Sequence, residues 1–260
     1  MSKKAKVKVV TGFCEIKGHP RKVEEYVELG NRLKSAMGVR PIQAFYYDMQ
    51  DLWLTQFLQC LPPMEPPLRW AKADNPVKNS LEYHCVQHQK VEWLAQAANM
   101  DQEADTFVWL DYGIMYLPGM NGDYLTAFLD KIVKNDFAIP GCWPPVELDD
   151  LDNPCWRFCG TVMIVPRADI HNLTKAFKAV DRTIIRTMKK VTFEVNILAL
   201  VEQTHIPNLR WYEADHNVTM LPTMRQRHDK ASPYHRRRRF NWMSCSAAFI
   251  EEHRLGNCGS

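Results

Sequence analysis

Hydrophobic positions recur along the chain with two periods, one suited to strands and the other to helices. Val7, Val9 and Val10 in Val7-Lys8-Val9-Val10-Thr11-Gly12-Phe13 supply β-branched bulk, and the segment predicts a first strand running into a loop at Gly12. From Arg21 to Met37, Val23, Tyr26, Val27, Gly30 and Leu33 fall at helical spacing, with Pro20 suited to a first turn and Gly38 to a stop. Ile42 to Asp48 is a second strand. Strand, helix and strand in this order make a βαβ unit, which predicts a parallel sheet. Asp51 to Leu58 is a short helix, and the prolines between Leu61 and Pro67 force a surface loop. A helical pattern returns from Val77 to Met100, with Leu81, Cys85, His88, Val91 and Leu94 along one side.

The apolar run Thr106 to Tyr116 reads as a buried strand that ends near Asp111. Gly122 to Val133 is helical and Phe137 to Pro140 a short strand, followed by a Pro- and Asp-rich loop from Cys142 to Pro154. Trp156 to Pro166 predicts a strand in which Gly160 marks a bulge or a close backbone approach. Asp169 is the expected N-cap of a helix to about Met188, and Thr192 that of a helix from Phe193 to Thr204. Leu209 to Tyr212 is a strand ending at Glu213-Ala214-Asp215-His216-Asn217. The expected fold is one α/β domain over residues 1–221, a mostly parallel sheet flanked by helices. Residues 222–260 form a basic C-terminal extension packed on the same domain.

Composition narrows the class. With 46% hydrophobic and 24% charged residues the chain is globular in character. A net charge of +3 is too mild to imply nucleic acid on its own. The 8 cysteines are too sparse for a disulfide scaffold in 260 residues. The opening lacks the pattern of a secretory leader, and no window reaches the roughly 18 apolar residues of a membrane span. The expectation is a soluble cytoplasmic protein with mostly reduced thiols.

Asp111 is the first candidate for chemistry, because an acid at the end of a buried strand needs a partner. In open α/β sheets ligands bind beyond the carboxyl ends of the strands. The competing reading is an Asp capping a turn before Gly113. Asp215 and His216 also follow a strand, and a divalent ion with oxygen and nitrogen ligands would join them to Asp111; otherwise Asp215-His216-Asn217 is an Asx-type turn. Cys142, Cys155, Cys159 and His171 read more readily as buried thiols and a lone histidine than as a zinc site. His84 and His88 are four residues apart on a helix without the metalloprotease Glu, and are expected to be partly buried or at the surface.

Several segments together resemble a known family. Thr106 to Tyr116 looks like the metal-binding segment of GT-A fold glycosyltransferases, with Asp111 matching the first acid of Asp-x-Asp and Gly113 replacing the second. Val9 to Phe13, Lys90 to Leu94, Arg157 to Gly160, Phe193 to Ile197 and Trp211 to Asn217 resemble, in the same order, segments of the bacterial HtrL/YibB-type glycosyltransferase-like family. The resemblance implies a GT-A-like, Rossmann-like fold, a nucleotide-sugar donor (a UDP-sugar) and Mn²⁺ or Mg²⁺ at the diphosphate. It implies Asp111 and His216 as metal ligands with Asp215 beside them. Thr11, Gly12, Lys90, Tyr112, Gly160 and Asn196 then fall along the donor, and Glu194 becomes the catalytic candidate. Lys90 read alone is a solvated helix lysine, Gly160 a bulge, and Glu194 an acid favoured in any first helical turn.

Arg236-Arg237-Arg238-Arg239 lies outside that resemblance. It is either a solvated basic segment or a polyanion site, with Phe240 and Trp242 as stacking surfaces. The second reading makes the acceptor DNA or an acidic glycan. It also leaves open a rival function, a non-catalytic nucleic-acid-binding protein that uses the basic tail.

Overall fold

The computed structural model describes residues 4–73, 76–143, 148, 150–204, 209–215 and 217–221. Its elements run β1 (Val7–Phe13), α1 (Val23–Met37), β2 (Ile42–Tyr46), α2 (Trp53–Gln59), β3 (Arg69–Trp70), α3 (Leu81–His88), α4 (Lys90–Met100), β4 (Thr106–Leu110), α5 (Gly122–Leu129), β5 (Ala138–Gly141), β6 (Val162–Pro166), α6 (Arg167–Met188), β7 (Lys190–Val191), α7 (Glu194–Thr204) and β8 (Arg210–Glu213). The main sheet has the order β2-β1-β4-β6-β5-β8. β1 pairs in parallel with β2 and β4, and β5 with β8. β6 runs antiparallel between β4 and β5. The fold is therefore α/β and Rossmann-like, a mostly parallel mixed sheet between helical layers.

Alternation along the central strands explains the apolar runs. Phe107 and Trp109 of β4 enter the core shared with α4, α6 and α7, whereas Val108 and Leu110 enter the core shared with α1 and α5. Met163 and Val165 of β6 divide from Val162 and Ile164 in the same way. A strand buried on both faces has no reason for polar alternation. Asp111 continues the face of Phe107 and Trp109, toward α4 and α7.

Several local expectations are corrected. The helix expected from Val77 to Met100 is two helices broken at Gln89. The His88 carbonyl accepts from the Trp53 indole at 2.9 Å and Gln89 Oε1 from the Trp53 amide at 2.9 Å, so α2 engages the junction. Trp156 to Thr161 is loop, and the strand begins only at Val162. Pro166 holds the N-cap position of α6, with Asp169 in the first turn. The Thr192 hydroxyl donates to the Leu151 carbonyl at 2.7 Å and accepts from Asn196 Nδ2 at 2.8 Å, so it ties down a loop. The two-residue strands β3 and β7 pair in parallel, a small second sheet with no periodic signal in the sequence. The segment 222–260, including the arginine run and Phe240 to Glu252, lies outside the described residues.

Candidate functional site

A cleft of about 560 Å³ opens beyond the carboxyl ends of β1 and β4, and Lys90, Asp111 and Glu194 all line it. Three elements deliver these groups. Asp111 follows β4, Lys90 opens α4 and Glu194 opens α7. Lys90 Nζ lies 3.1 Å from Asp111 Oδ1 and 3.2 Å from Glu194 Oε1, and donates to the Gly160 carbonyl at 3.0 Å. Asp111 Oδ1 also accepts from the Trp109 indole at 2.8 Å. The indole is held by stacking on Trp93 of α4, with centroids 5.6 Å apart and planes 9° from parallel, a contact worth roughly 0.5–1.5 kcal/mol beyond its buried area.

Burial divides the cluster. The Lys90 and Glu194 side chains are 4% and 10% exposed, and Asp111 30%. Burial opposes the Lys90 ammonium, but Asp111 and Glu194 outweigh it and raise its pKa. Burial likewise opposes the Glu194 carboxylate, and Lys90 and His88 outweigh it and lower its pKa. Lys90 and Glu194 thus favour each other's charged form, and with Asp111 as a second acid beside the one ammonium the formal charge of the floor is negative.

The expected residues sort into those at the floor and those that pack elsewhere. Asp111, Lys90 and Glu194 come together, and the solvated reading of Lys90 is set aside by its burial. Gly160 lines the cleft, and the described structure gives a reason for a glycine there. A Cβ there would stand 2.6 Å from Glu194 Oε1, so the missing side chain makes room for the carboxylate. Gly12 lines the cleft, but the place of its side chain is filled by the Trp93 ring. Thr11 is buried outside the lining. Tyr112 is 8% exposed, packs against Phe13 and Tyr46, and presses on Gly30 of α1, where no side chain would fit. It also contributes to the lining of the cleft. Asn196 is fully buried and latches the loop before β6, accepting from the Cys155 amide at 2.6 Å and donating to the Asn153 carbonyl at 2.9 Å.

The expected metal site does not assemble from the described residues. Asp111 Oδ1 is already shared by an ammonium and an indole N–H. Asp215 is exposed and is not part of the cleft lining. Its amide donates to Thr219 Oγ1 at 3.0 Å, and Asn217 Oδ1 accepts from the Thr219 amide at 2.8 Å, the turn chemistry of the competing reading. His216 lies outside the described residues, and among them no three His, Cys, Asp or Glu side chains group to hold an ion. Asp111 and Asp215 by themselves, the two expected ligands that are described, do not make a site for Mn²⁺ or Mg²⁺. Cys155 and Cys159 are buried free thiols, with Cys159 Sγ 3.4 Å from Cys142 Sγ.

Sequence reasoning missed a second buried pair. His84 and His88, expected to be partly buried or at the surface, are fully buried. His88 Nδ1 lies 2.7 Å from Asp181 Oδ2, and Nε2 lies 2.9 Å from the Thr192 carbonyl. Against a carboxylate and a carbonyl, which both accept, each ring nitrogen donates, and Asp181 favours the imidazolium by raising the His88 pKa against its burial. Arg157, also missed, forms a two-bond pair with Glu202 of α7 at 2.9 and 2.6 Å. A guanidinium buried in an apolar loop has no periodic signature.

No family model matches the chain, and no curated protein matches it in sequence. Among solved structures it is similar to a glycosyltransferase involved in the glycosylation of the major capsid of PBCV-1. That likeness has 13% identity and a TM-score of 0.46 over 80% of this chain and 81% of the other. It is also similar to 4-diphosphocytidyl-2C-methyl-D-erythritol synthase from Anaerococcus prevotii DSM 20548, with 12% identity and a TM-score of 0.34 over 89% of this chain and 98% of the other. Likenesses at this level decide neither family nor activity, and the HtrL/YibB-type relation stays a resemblance of short segments. No helix among the described residues is long and apolar enough to cross a membrane.

Proposed function

We propose that the protein is a glycosyltransferase that takes a nucleotide-sugar, a UDP-sugar by the resemblance of its segments, and passes the sugar to an acceptor hydroxyl. The observation that carries this reading is the convergence of Asp111 and Glu194 on Lys90 at the floor of a cleft beyond the parallel strands. In such a transfer the bond from the sugar C1 to the diphosphate breaks and its electron pair leaves with the phosphate. The acceptor oxygen bonds to C1 and gives up its proton to the departing phosphate oxygen or through it to water, so the products are the glycosylated acceptor and the nucleoside diphosphate. Positive charge grows on the sugar as the bond breaks, and a floor with net negative charge opposes it at low cost in reorganisation.

Asp111 is the group placed to accept hydrogen bonds from sugar hydroxyls, being the most exposed of the three. Glu194 is held on Lys90 with a lowered pKa, which makes it a poor proton acceptor. Its role in this reading is to hold Lys90 and shape the field. Mn²⁺ or Mg²⁺, implied by the resemblance, is assigned no step. A DNA or glycan acceptor and a cytoplasmic location belong to the same proposal, the acceptor through Arg236 to Arg239.

A thermal-shift series with nucleoside diphosphates and nucleotide-sugars, with and without Mn²⁺, tests the reading. Stabilisation selective for one base is expected. No stabilisation by any of them, together with tight and salt-steep DNA binding, would favour the non-catalytic nucleic-acid-binding rival instead.

A further inference from the structure

The cleft floor leaves the leaving group without a counter-charge. An ammonium has three hydrogens to donate, and those of Lys90 have the Gly160 carbonyl, Asp111 and Glu194 as partners. Lys90 therefore offers nothing further to a phosphate, and the net negative floor repels one. Two other cations line the same cleft, Arg21 from the loop between β1 and α1 and Lys78 from the turn before α3. Both are half-buried, and neither has a carboxylate partner within ion-pair distance among the described residues.

Each cation rests on aromatic rings. The Arg21 guanidinium lies 5.0 Å from the ring centres of both Tyr26 and Tyr116, and Lys78 Nζ lies 5.2 Å from that of Trp156. Ring faces hold a cation in place without consuming its hydrogen bonds; Arg21 also hydrogen-bonds Tyr26, which leaves the other N–H groups of its guanidinium for an oxyanion. Placing unpaired cations in a partly desolvated cleft is costly unless an anion completes them.

We propose that Arg21 and Lys78 form the diphosphate subsite, holding the leaving group by the chain's own cations. The proposal rests on the nucleotide-sugar reading for the identity of the anion, but the subsite itself predicts binding of inorganic pyrophosphate. Arg21 suits paired phosphate oxygens through its planar fork, and Lys78 acts as a point charge. The anion then lies between cationic walls and a carboxylate floor, so that charge of each sign meets its opposite as the C1–oxygen bond breaks.

Isothermal titration of pyrophosphate and UDP into the full chain in EDTA, comparing wild type with Arg21→Gln, Lys78→Gln and the double variant, tests this. Pyrophosphate is expected to bind wild type, each single variant to weaken it about 10-fold, equivalent to about 1.4 kcal/mol, and the double variant to abolish it. The far-ultraviolet circular dichroism and the unfolding midpoint of the variants should stay close to wild type, since neither side chain holds an ion pair in the described fold. Absence of pyrophosphate binding to wild type in EDTA, or equal binding by the double variant, overturns the subsite. UDP binding that survives in the double variant overturns the subsite and leaves the nucleotide reading standing. Pyrophosphate binding that is lost in the variants, with no nucleotide binding to wild type, supports the subsite and removes the nucleotide reading.

Discussion

His88 and Lys90 are separated by one residue at the break between α3 and α4, yet they serve two charge clusters of opposite character. His88 and Asp181 are sealed, with both side chains at 0% exposure. Lys90 is as well paired, but its partner Asp111 keeps 30% of its side chain open to the cleft. The sealed pair ties α3 to α6 and, through the Thr192 carbonyl, to the segment leading into α7. It has no access to a ligand, so its work is structural. The cleft cluster spends its lysine to hold two carboxylates at a ligand-sized opening. Access, rather than the presence of buried charge, separates the two roles.

Breaking the sealed pair should have the larger effect on stability. Asp181→Ala strands a buried imidazolium, and urea unfolding should show a loss of about 3–5 kcal/mol. An unchanged midpoint would mean that His88 is not charged in the fold. The same charge predicts a pH dependence. Burial works against the His88 imidazolium, but Asp181, Glu194 and the Thr192 carbonyl outweigh it and raise its pKa, even with His84 beside it. A raised folded value contributes stability that is full below the unfolded value of about 6.5 and lost as pH rises through the folded one. The unfolding free energy of wild type should therefore fall toward alkaline pH more steeply than that of His88→Gln. His84 behaves in the opposite way, its pKa pushed by burial and by His88 down to about 4, so it adds no such slope near neutrality.

Changes at the cleft should be milder for stability. Gly160→Ala sets a methyl group against Glu194 Oε1, and overpacking of this kind costs roughly 1–3 kcal/mol. It should also reduce donor turnover by displacing the carboxylate, which a stability assay and a product assay on one preparation would reveal. Asp111→Ala should have the smallest effect on stability, about 1 kcal/mol, the scale of the hydrogen bond that the Trp109 indole loses, because Lys90 retains Glu194 and the Gly160 carbonyl.

Much of the frame is legible along the chain. β1, β2 and β4 are marked by β-branched or continuous apolar runs, and α1 by its helical spacing and by Gly38, whose φ of 57° suits a residue without a Cβ. Asp111 is legible because an acid at the end of such a run is anomalous. What fails depends on partners distant in sequence. Lys90 meets Gly160 and Glu194, respectively 70 and 104 residues away, and nothing in Lys90-Val91-Glu92 announces it. Asn196 and Thr192 carry cap-like chemistry that the fold spends on a distant loop. Trp156 to Cys159 has strand composition, yet it does not extend β6; the Trp156 carbonyl and the Cys159 amide bond instead around β5, with Cys142 and Pro140.

The central claim is that Asp111 belongs to the reaction and not to the support of the fold. Release of the free nucleotide from a panel of nucleotide-sugars, measured for wild type and Asp111→Ala alongside their unfolding midpoints, tests it most directly. The account predicts release by wild type from one donor and a loss of about 100-fold or more in the variant, on the scale of one electrostatic catalytic contact, at nearly equal stability. Equal release by the two proteins, or a variant that unfolds while its folded fraction remains active, would contradict it.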